Sequence, residues 1–307
     1  MSVDLVRAVT FLSTGFGCDD NSVEPLGKGV WSKAFAFRRL GRDYVIRFGA
    51  HQEDFVKDRL AARYASSALP IPRVVELGDA FGGYYAISER AFGRYIDDVD
   101  GAQMRTLLPS LFAALDAARL ADLSGTAGYG GWGAEGSAPY LSWGAALLDV
   151  ANDRSEERVH GWRQRLAASP VGIGPFAEAY ERLLALAGRV PEERHLIHGD
   201  LLHYNVLVEG RKVTGVLDWG CGMYGDFLYD LAWLCFWQPW YPAWRSIEFR
   251  AEANRHYALI GLEVPRFEER LRCYQIHIGL AGQAYQAYAG NWTDLEDTAQ
   301  HTLDVAT

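Results

Sequence analysis

Four residues in the second half of the chain have types and spacing suited to moving a phosphoryl group: His198, Asp200, Asn205 and Asp218. Such a transfer needs a group that orients an attacking hydroxyl and accepts its proton, plus hard oxygen ligands for Mg2+. Asp200 precedes Asn205 by five positions, on a short stretch that enters an apolar segment at Val206. Asp218 closes a second apolar segment, Val216-Leu217-Asp218-Trp219. Between them, Val206 to Val208 and Val213 to Leu217 bracket Glu209-Gly210-Arg211, which reads as a β-hairpin. A hairpin brings its two outer ends together. Asn205 and Asp218 would then each offer an oxygen ligand, with Asp200 on the same loop facing the nucleophile. His198 reads as a hydrogen-bonding group that holds the loop rather than one that transfers a proton.

Protein kinases follow the same logic, with Asp-x-x-x-x-Asn in the catalytic loop and a metal-binding Asp after it. An isolated His-x-Asp carries no weight; the asparagine at the right offset and the hairpin-linked Asp218 change that. The full run is His198-Gly199-Asp200-x-x-x-x-Asn205, Val216-Leu217-Asp218-Trp219 and Gly225-Asp226-x-x-x-Asp230-Leu231-Ala232. In this order it resembles the aminoglycoside phosphotransferase and choline-kinase-like superfamily, whose members have a protein-kinase-like fold. Within that superfamily the chain looks most like the hygromycin B phosphotransferases. That likeness rests on segments 65–72, 128–133, 193–198 and 236–240, and it runs from about Leu26 to Gly290. The resemblance implies an ATP- and Mg2+-dependent O-phosphotransferase (GTP possible) acting on an aminoglycoside hydroxyl, hygromycin B first. Asp200 would be the catalytic base, Asn205 and Asp218 the magnesium ligands, and Asp226 and Asp230 braces for the loop and the helix after it. A macrolide or a choline-like metabolite is the alternative acceptor. A non-catalytic nucleotide- or drug-binding module is disfavoured by the intact Asp200, Asn205 and Asp218, and a protein kinase by the absence of Asp-Phe-Gly and Ala-Pro-Glu segments.

The same resemblance places the nucleotide. Gly27-Lys28-Gly29-Val30-Trp31-Ser32 would be the phosphate-covering turn, with Gly27, Gly29 and Ser32 closest and the glycines permitting close backbone approach. Most members carry a lysine on the next strand; here Arg47 stands there, always charged and able to fork onto phosphate oxygens. Its partner on the following helix would be Asp58, shorter in reach than the usual glutamate. Ser88-Glu89-Arg90-Ala91 would be the hinge, with backbone groups of Glu89 and Ala91 against an adenine edge. A polyamine sugar wants carboxylates for its ammonium groups and aromatic faces for its rings. The candidates are Tyr204, Trp237, Trp240 and Glu268, within a wider set that includes Tyr224, Tyr241, Glu269, Tyr274 and Gln275.

The elements that must position these residues read as a two-part α+β protein. Strands at Val23–Leu26, Ala34–Arg38, Arg42–Phe48, Val74–Leu77 and Tyr84–Ser88, with a helix over Gln52–Ser67, predict a small antiparallel sheet with a helix on one face. Beyond about Arg90 helical periodicity dominates, at 104–121, 142–152, 162–168, 175–187 and from 227 onward. The expected division is a nucleotide-binding lobe with its hinge, 1–91, and a catalytic and acceptor-binding lobe, 92–307. At 307 residues with 49% hydrophobic and 22% charged residues the chain can fill such cores. A net charge of -9 argues against a nucleic-acid binder and suits a cationic small molecule. Four scattered cysteines, no signal-like N-terminus and no membrane-length apolar run predict a cytoplasmic protein without disulfides or membrane contact. A monomer is the expected state, though no sequence feature fixes it.

Overall fold

The computed structural model describes residues 3–29 and 31–307; Met1, Ser2 and Val30, the last within the glycine-rich turn, lie outside them. A helix not anticipated from the sequence opens the chain, α1 (Leu5–Phe16). Its ends carry ordinary signals: the Asp4 carboxylate accepts the Arg7 N–H, and Gly17 stops it at φ 61°. Five strands follow, β1 (Glu24–Lys28), β2 (Ser32–Arg39), β3 (Arg42–Gly49), β4 (Val74–Ala80) and β5 (Gly83–Glu89), interrupted by α2 (Gln52–Ala61). They form one antiparallel sheet in the order β1-β2-β3-β5-β4.

Strand periodicity decides what each face of this sheet carries. Phe35, Phe37, Ile46, Phe48, Tyr85 and Ile87 are buried together with Ala8 and Leu12 of α1. Arg47, between Ile46 and Phe48, therefore points to the opposite face, where its guanidinium lies 5.2 Å from the Phe55 ring of α2. The helix expected over Gln52–Ser67 is shorter. It ends at Ala61 and tightens into a 3-10 turn, Ala62–Tyr64. The chain is then redirected before the prolines by a Ser66–Leu69 turn, in which each residue's backbone is bonded to the other residue.

From Arg94 the structure is mainly helical. The connecting pieces are β6 (Arg94–Tyr95), α3 (Gly101–Arg119), β7 (Gly130–Gly131), α4 (Trp143–Leu148), α5 (Trp162–Ala168), α6 (Gly174–Ala187) and β8 (His195–Ile197). The hairpin is β9 (Val206–Glu209) and β10 (Lys212–Val216), followed by β11 (Met223–Gly225). The chain finishes with α7 (Leu228–Trp237), α8 (Phe249–Leu259), α9 (Phe267–Ala289) and α10 (Trp292–Ala306). Two three-stranded sheets, β10-β9-β6 and β7-β11-β8, hold the loop between β8 and β9 from either side. The strands β6, β7, β8 and β11 have two or three residues each, too short to show a period in sequence. The core of this part is one contiguous cluster in which α9 is buried along its length, from Phe267 to Ala287.

Candidate active site

The loop after β8 is fixed by four backbone anchors before any side chain is considered. Asp230, fully buried on α7, accepts the N–H groups of His198 and Gly199, both at 2.9 Å. Its burial raises its pKa, an effect opposed by the nearby His198 ring and these two donors. Asp97 accepts the N–H groups of His203 at 2.9 Å and Tyr204 at 3.1 Å, and the Tyr241 hydroxyl at 2.7 Å. His203 and Tyr204 have φ of 62° and 71°, a left-handed pair that non-glycine residues adopt only when held. Asp97 holds it. Nothing in the sequence around Asp97 announces this role, since its partners lie more than 100 positions away.

His198 is a loop-holder. Its Nε2–H donates to the Leu217 carbonyl at 2.8 Å, and its Nδ1 accepts the Asp200 N–H at 3.2 Å. Both ring nitrogens are occupied, which ties the Asp200 loop to the far strand of the hairpin. At the hairpin's ends the Leu217 N–H donates to the Asn205 carbonyl at 2.7 Å, so Asn205 and Asp218 do meet there. The Nδ2 group of Asn205 donates to both the carbonyl and the carboxylate of Asp200, at 2.9 and 3.1 Å. That leaves the Asn205 Oδ1 as its free oxygen. The other Asp200 oxygen accepts the His203 Nδ1–H at 2.7 Å. This pairing raises the His203 pKa against the lowering effect of burial. Each Asp200 oxygen keeps a further lone pair.

Asp218 lies in a left-handed conformation, φ 56°, with its side chain 46% exposed. Arg47 pairs closely with Asp58 and stands 3.7 Å from Asp218. Arginine here is thus joined to carboxylates on both sides. Asp58 also accepts the Trp219 N–H at 2.8 Å. Neighbouring Lys57, which no sequence pattern singles out, is buried and donates through Nζ to the Gly220 carbonyl at 2.5 Å. Desolvation lowers its pKa despite the negative groups around it.

The glycine-rich turn does not need its glycines for backbone conformation, because neither Gly27 nor Gly29 has positive φ. A Cβ at Gly27 would meet nothing, and one at Gly29 only Ser32 at 3.4 Å. Trp31 at its tip lies under the Arg158 guanidinium at 5.7 Å, and Arg158 forks onto Asp54 of α2 at 2.7 and 2.8 Å. At the hinge, the Glu89 N–H is taken by the Arg73 carbonyl and its carboxylate by the Arg73 side chain. Ala91 packs beside Gly215 of β10.

The acceptor candidates separate. Tyr204 is 60% exposed beside the base, edge-on to Tyr95 at 5.2 Å. Trp237 lies 5.5 Å from the His203 ring, together with Trp233, which carries no distinguishing signal in sequence. Trp240 packs edge-on to Trp237 at 5.0 Å and also on Phe236 and His301, one ring further from His203. Glu268 pairs with Arg250 at the start of α9, whereas Tyr285 is the α9 residue whose phenol feels the charge of Asp200. Seventeen residues of helix separate the two, about 25 Å at 1.5 Å per residue. Glu268 is not brought to Asp200. Tyr224 is core, with its hydroxyl on the Gly136 carbonyl, and Tyr274 joins Arg270 on buried Asp226, so both are structural.

Comparison with known proteins gives the chain a family. Residues 22–268 match the family profile described as the phosphotransferase enzyme family. The chain belongs to that family. It is 36% identical over 272 residues to the hygromycin-B 4-O-kinase of Escherichia coli, covering 88% of this chain and 76% of that protein. The crystal structure of aminoglycoside phosphotransferase APH(4)-Ia is 32% identical, with a TM-score of 0.83 over 99% of this chain and 98% of that one. A thermostable mutant of APH(4)-Ia in ternary complex with AMP-PNP and hygromycin B is 30% identical, with a TM-score of 0.83 over 97% of both chains. Aminoglycoside 2'-phosphotransferase-IIIa, at 16% identity and a TM-score of 0.64, shares the fold. Membership makes the protein a nucleotide-using phosphotransferase of kinase-like, two-lobed architecture. No helix among the described residues is long and apolar enough to cross a membrane.

Proposed function

We propose that this phosphotransferase moves the γ-phosphoryl group of ATP onto a hydroxyl of an aminoglycoside, with hygromycin B as its acceptor. The observation that carries the reading is the convergence at the hairpin's ends: Asp200, Asn205 and Asp218 lie together, with the Asp200 oxygens directed by His203 and Asn205. Asp200 would accept the acceptor's hydroxyl proton on a lone pair that neither His203 nor Asn205 occupies. The donor set fits Mg2+. Asn205 Oδ1 and the exposed Asp218 carboxylate are hard oxygens, and no cluster of three or more His, Cys, Asp or Glu side chains among the described residues forms a self-contained cage. Such a site takes its remaining ligands from phosphate and water, and the ion would neutralise charge on the transferring group.

On this reading residues 1–91 hold the nucleotide and 92–307 the acceptor. The glycines at 27 and 29, which packing does not require, leave room for phosphates beside Ser32. The Glu89 carbonyl and Ala91 N–H face the adenine edge. Arg47 reaches phosphate from its position between Asp58 and Asp218. Exposed Tyr204, with Trp233 and Trp237 beside His203, offers the acceptor aromatic contacts. The protein acts as a cytoplasmic monomer.

The test is expression in a sensitive bacterium challenged with hygromycin B, other aminoglycosides and macrolides, beside the Asp200→Ala variant. Resistance to hygromycin B that disappears with Asp200→Ala, while the purified variant still binds nucleotide, is the expected result. Resistance confined to macrolides would overturn the acceptor assignment, and near-wild-type turnover of Asp200→Ala would overturn the base.

A further inference from the structure

We propose that Lys57 and Trp132 are positioning residues that set the Asp218 carboxylate through the turn behind it, an inference that rests on Asp218 being the metal ligand. Asp218 begins a tight 3-10 turn, Trp219–Cys221, and its direction is set by a left-handed backbone and the Arg47 guanidinium 3.7 Å away. Two consecutive residues of α2 grip that turn. Asp58 takes the Trp219 N–H at 2.8 Å, and Lys57 Nζ gives a hydrogen bond to the Gly220 carbonyl at 2.5 Å. A donor and an acceptor side by side on one helix thus hold the first and third peptide units after Asp218.

Lys57 is 6% exposed, and a buried ammonium is retained only where something specific receives it. The far wall is Trp132, whose ring centre is 5.2 Å from Nζ. Trp132 is itself buried, stacked on Tyr224 at 5.8 Å, and so close to Gly222 that a Cβ there would fall 2.6 Å from the ring. The Trp132 N–H donates from the backbone to the Gly222 carbonyl at 3.3 Å. The glycine-rich aromatic loop 128–133 therefore closes the pocket in which Lys57 meets the metal turn. Because α2 also carries Asp58, the partner of Arg47, any shift of this helix with nucleotide moves the Asp218 carboxylate in the same stroke.

The test uses Lys57→Met, which keeps length and apolar bulk but removes the donor, with Lys57→Arg as the conservative rescue. Binding of a fluorescent ATP analogue is measured by titration without metal and again with Mn2+, and Mn2+ capture by the nucleotide complex is followed by electron paramagnetic resonance. None of these readouts depends on the acceptor. The expected outcome is unchanged metal-free nucleotide affinity, an apparent Mn2+ affinity weakened about tenfold, the loss of one charge-assisted hydrogen bond, and partial recovery in Lys57→Arg. Trp132→Phe, milder and keeping the aromatic wall, should weaken Mn2+ about threefold and serves if Lys57→Met does not fold. Unchanged Mn2+ affinity in a folded Lys57→Met, or in Trp132→Phe where Lys57→Met does not fold, overturns the inference. Undetectable Mn2+ capture by the unmodified protein would instead refute the metal assignment of Asp218.

Discussion

Asp97→Asn is the substitution that most directly tests how the base loop is held. The carboxylate receives three donors: His203 N–H and Tyr241 O–H on Oδ1, and Tyr204 N–H on Oδ2. Asparagine has the same shape but only one acceptor oxygen. If that oxygen keeps the His203 and Tyr241 bonds, its NH2 group faces the Tyr204 N–H, donor against donor. A hydrogen bond to a charged group contributes about 1.5–3 kcal/mol and a neutral one about 1. One bond is lost and two weaken, which sums to about 3 kcal/mol. The loop is partly exposed, so water recovers some of this, and about 2 kcal/mol remains against a backbone pair at φ 62° and 71° that is intrinsically unfavourable. That is roughly a thirtyfold fall in the ratio of held to released loop, which lowers turnover by up to the same factor. The assay is steady-state turnover at saturating ATP and acceptor, with nucleotide affinity measured separately. We expect kcat down about thirtyfold and nucleotide affinity within twofold. A kcat within twofold of the unmodified enzyme would refute the idea that Asp97 holds the left-handed pair, as would an equal loss of nucleotide binding, which would mean a global effect.

Two further outcomes follow from buried groups. Arg270 forks onto Asp226 at 2.7 Å on both arms, with both side chains inaccessible to solvent; Arg270→Met should cost about 3–5 kcal/mol by stranding the carboxylate, read as a lower urea midpoint at pH 7. Unchanged stability would show that Asp226 finds other donors. His277, whose Nδ1 accepts the Tyr229 hydroxyl at 2.9 Å, has its pKa pushed down to about 4 by burial. Its folded pKa lies below the unfolded value near 6.5, so the unfolded chain binds the extra proton between them; stability is full above about 6.5 and falls as pH drops towards 4. The loss reaches at most about 3 kcal/mol, and His277→Gln should remove that portion of the acid sensitivity in denaturation curves at pH 7 and pH 5. An identical pH slope in the variant would contradict the assignment.

The chemistry-bearing loop was legible in the sequence because its logic is local. Asp200, Asn205 and Asp218 sit at the ends of one hairpin, and a hairpin's closure follows from its turn residues and apolar alternation over some 20 positions. The five-stranded sheet was legible for the same reason, and strand alternation alone sends Arg47 to the face away from Ile46 and Phe48. The short strands β6, β7, β8 and β11 left no period to read, and α1 went unanticipated although Asp4 and Gly17 mark its ends.

What only the tertiary structure decided are the contacts between distant segments. Asp97 meets the loop from 106 positions away, Lys57 meets Gly220 from 163, and Asp54 meets Arg158 from 104. Glu268 looks eligible in sequence, yet a straight helix puts it some seventeen residues from Tyr285, at the other end of α9. The physical reason is the same in each case. Local propensity and spacing fix which groups share a turn, but a charged side chain's partner is chosen by which elements pack together, and that choice is made by the core as a whole.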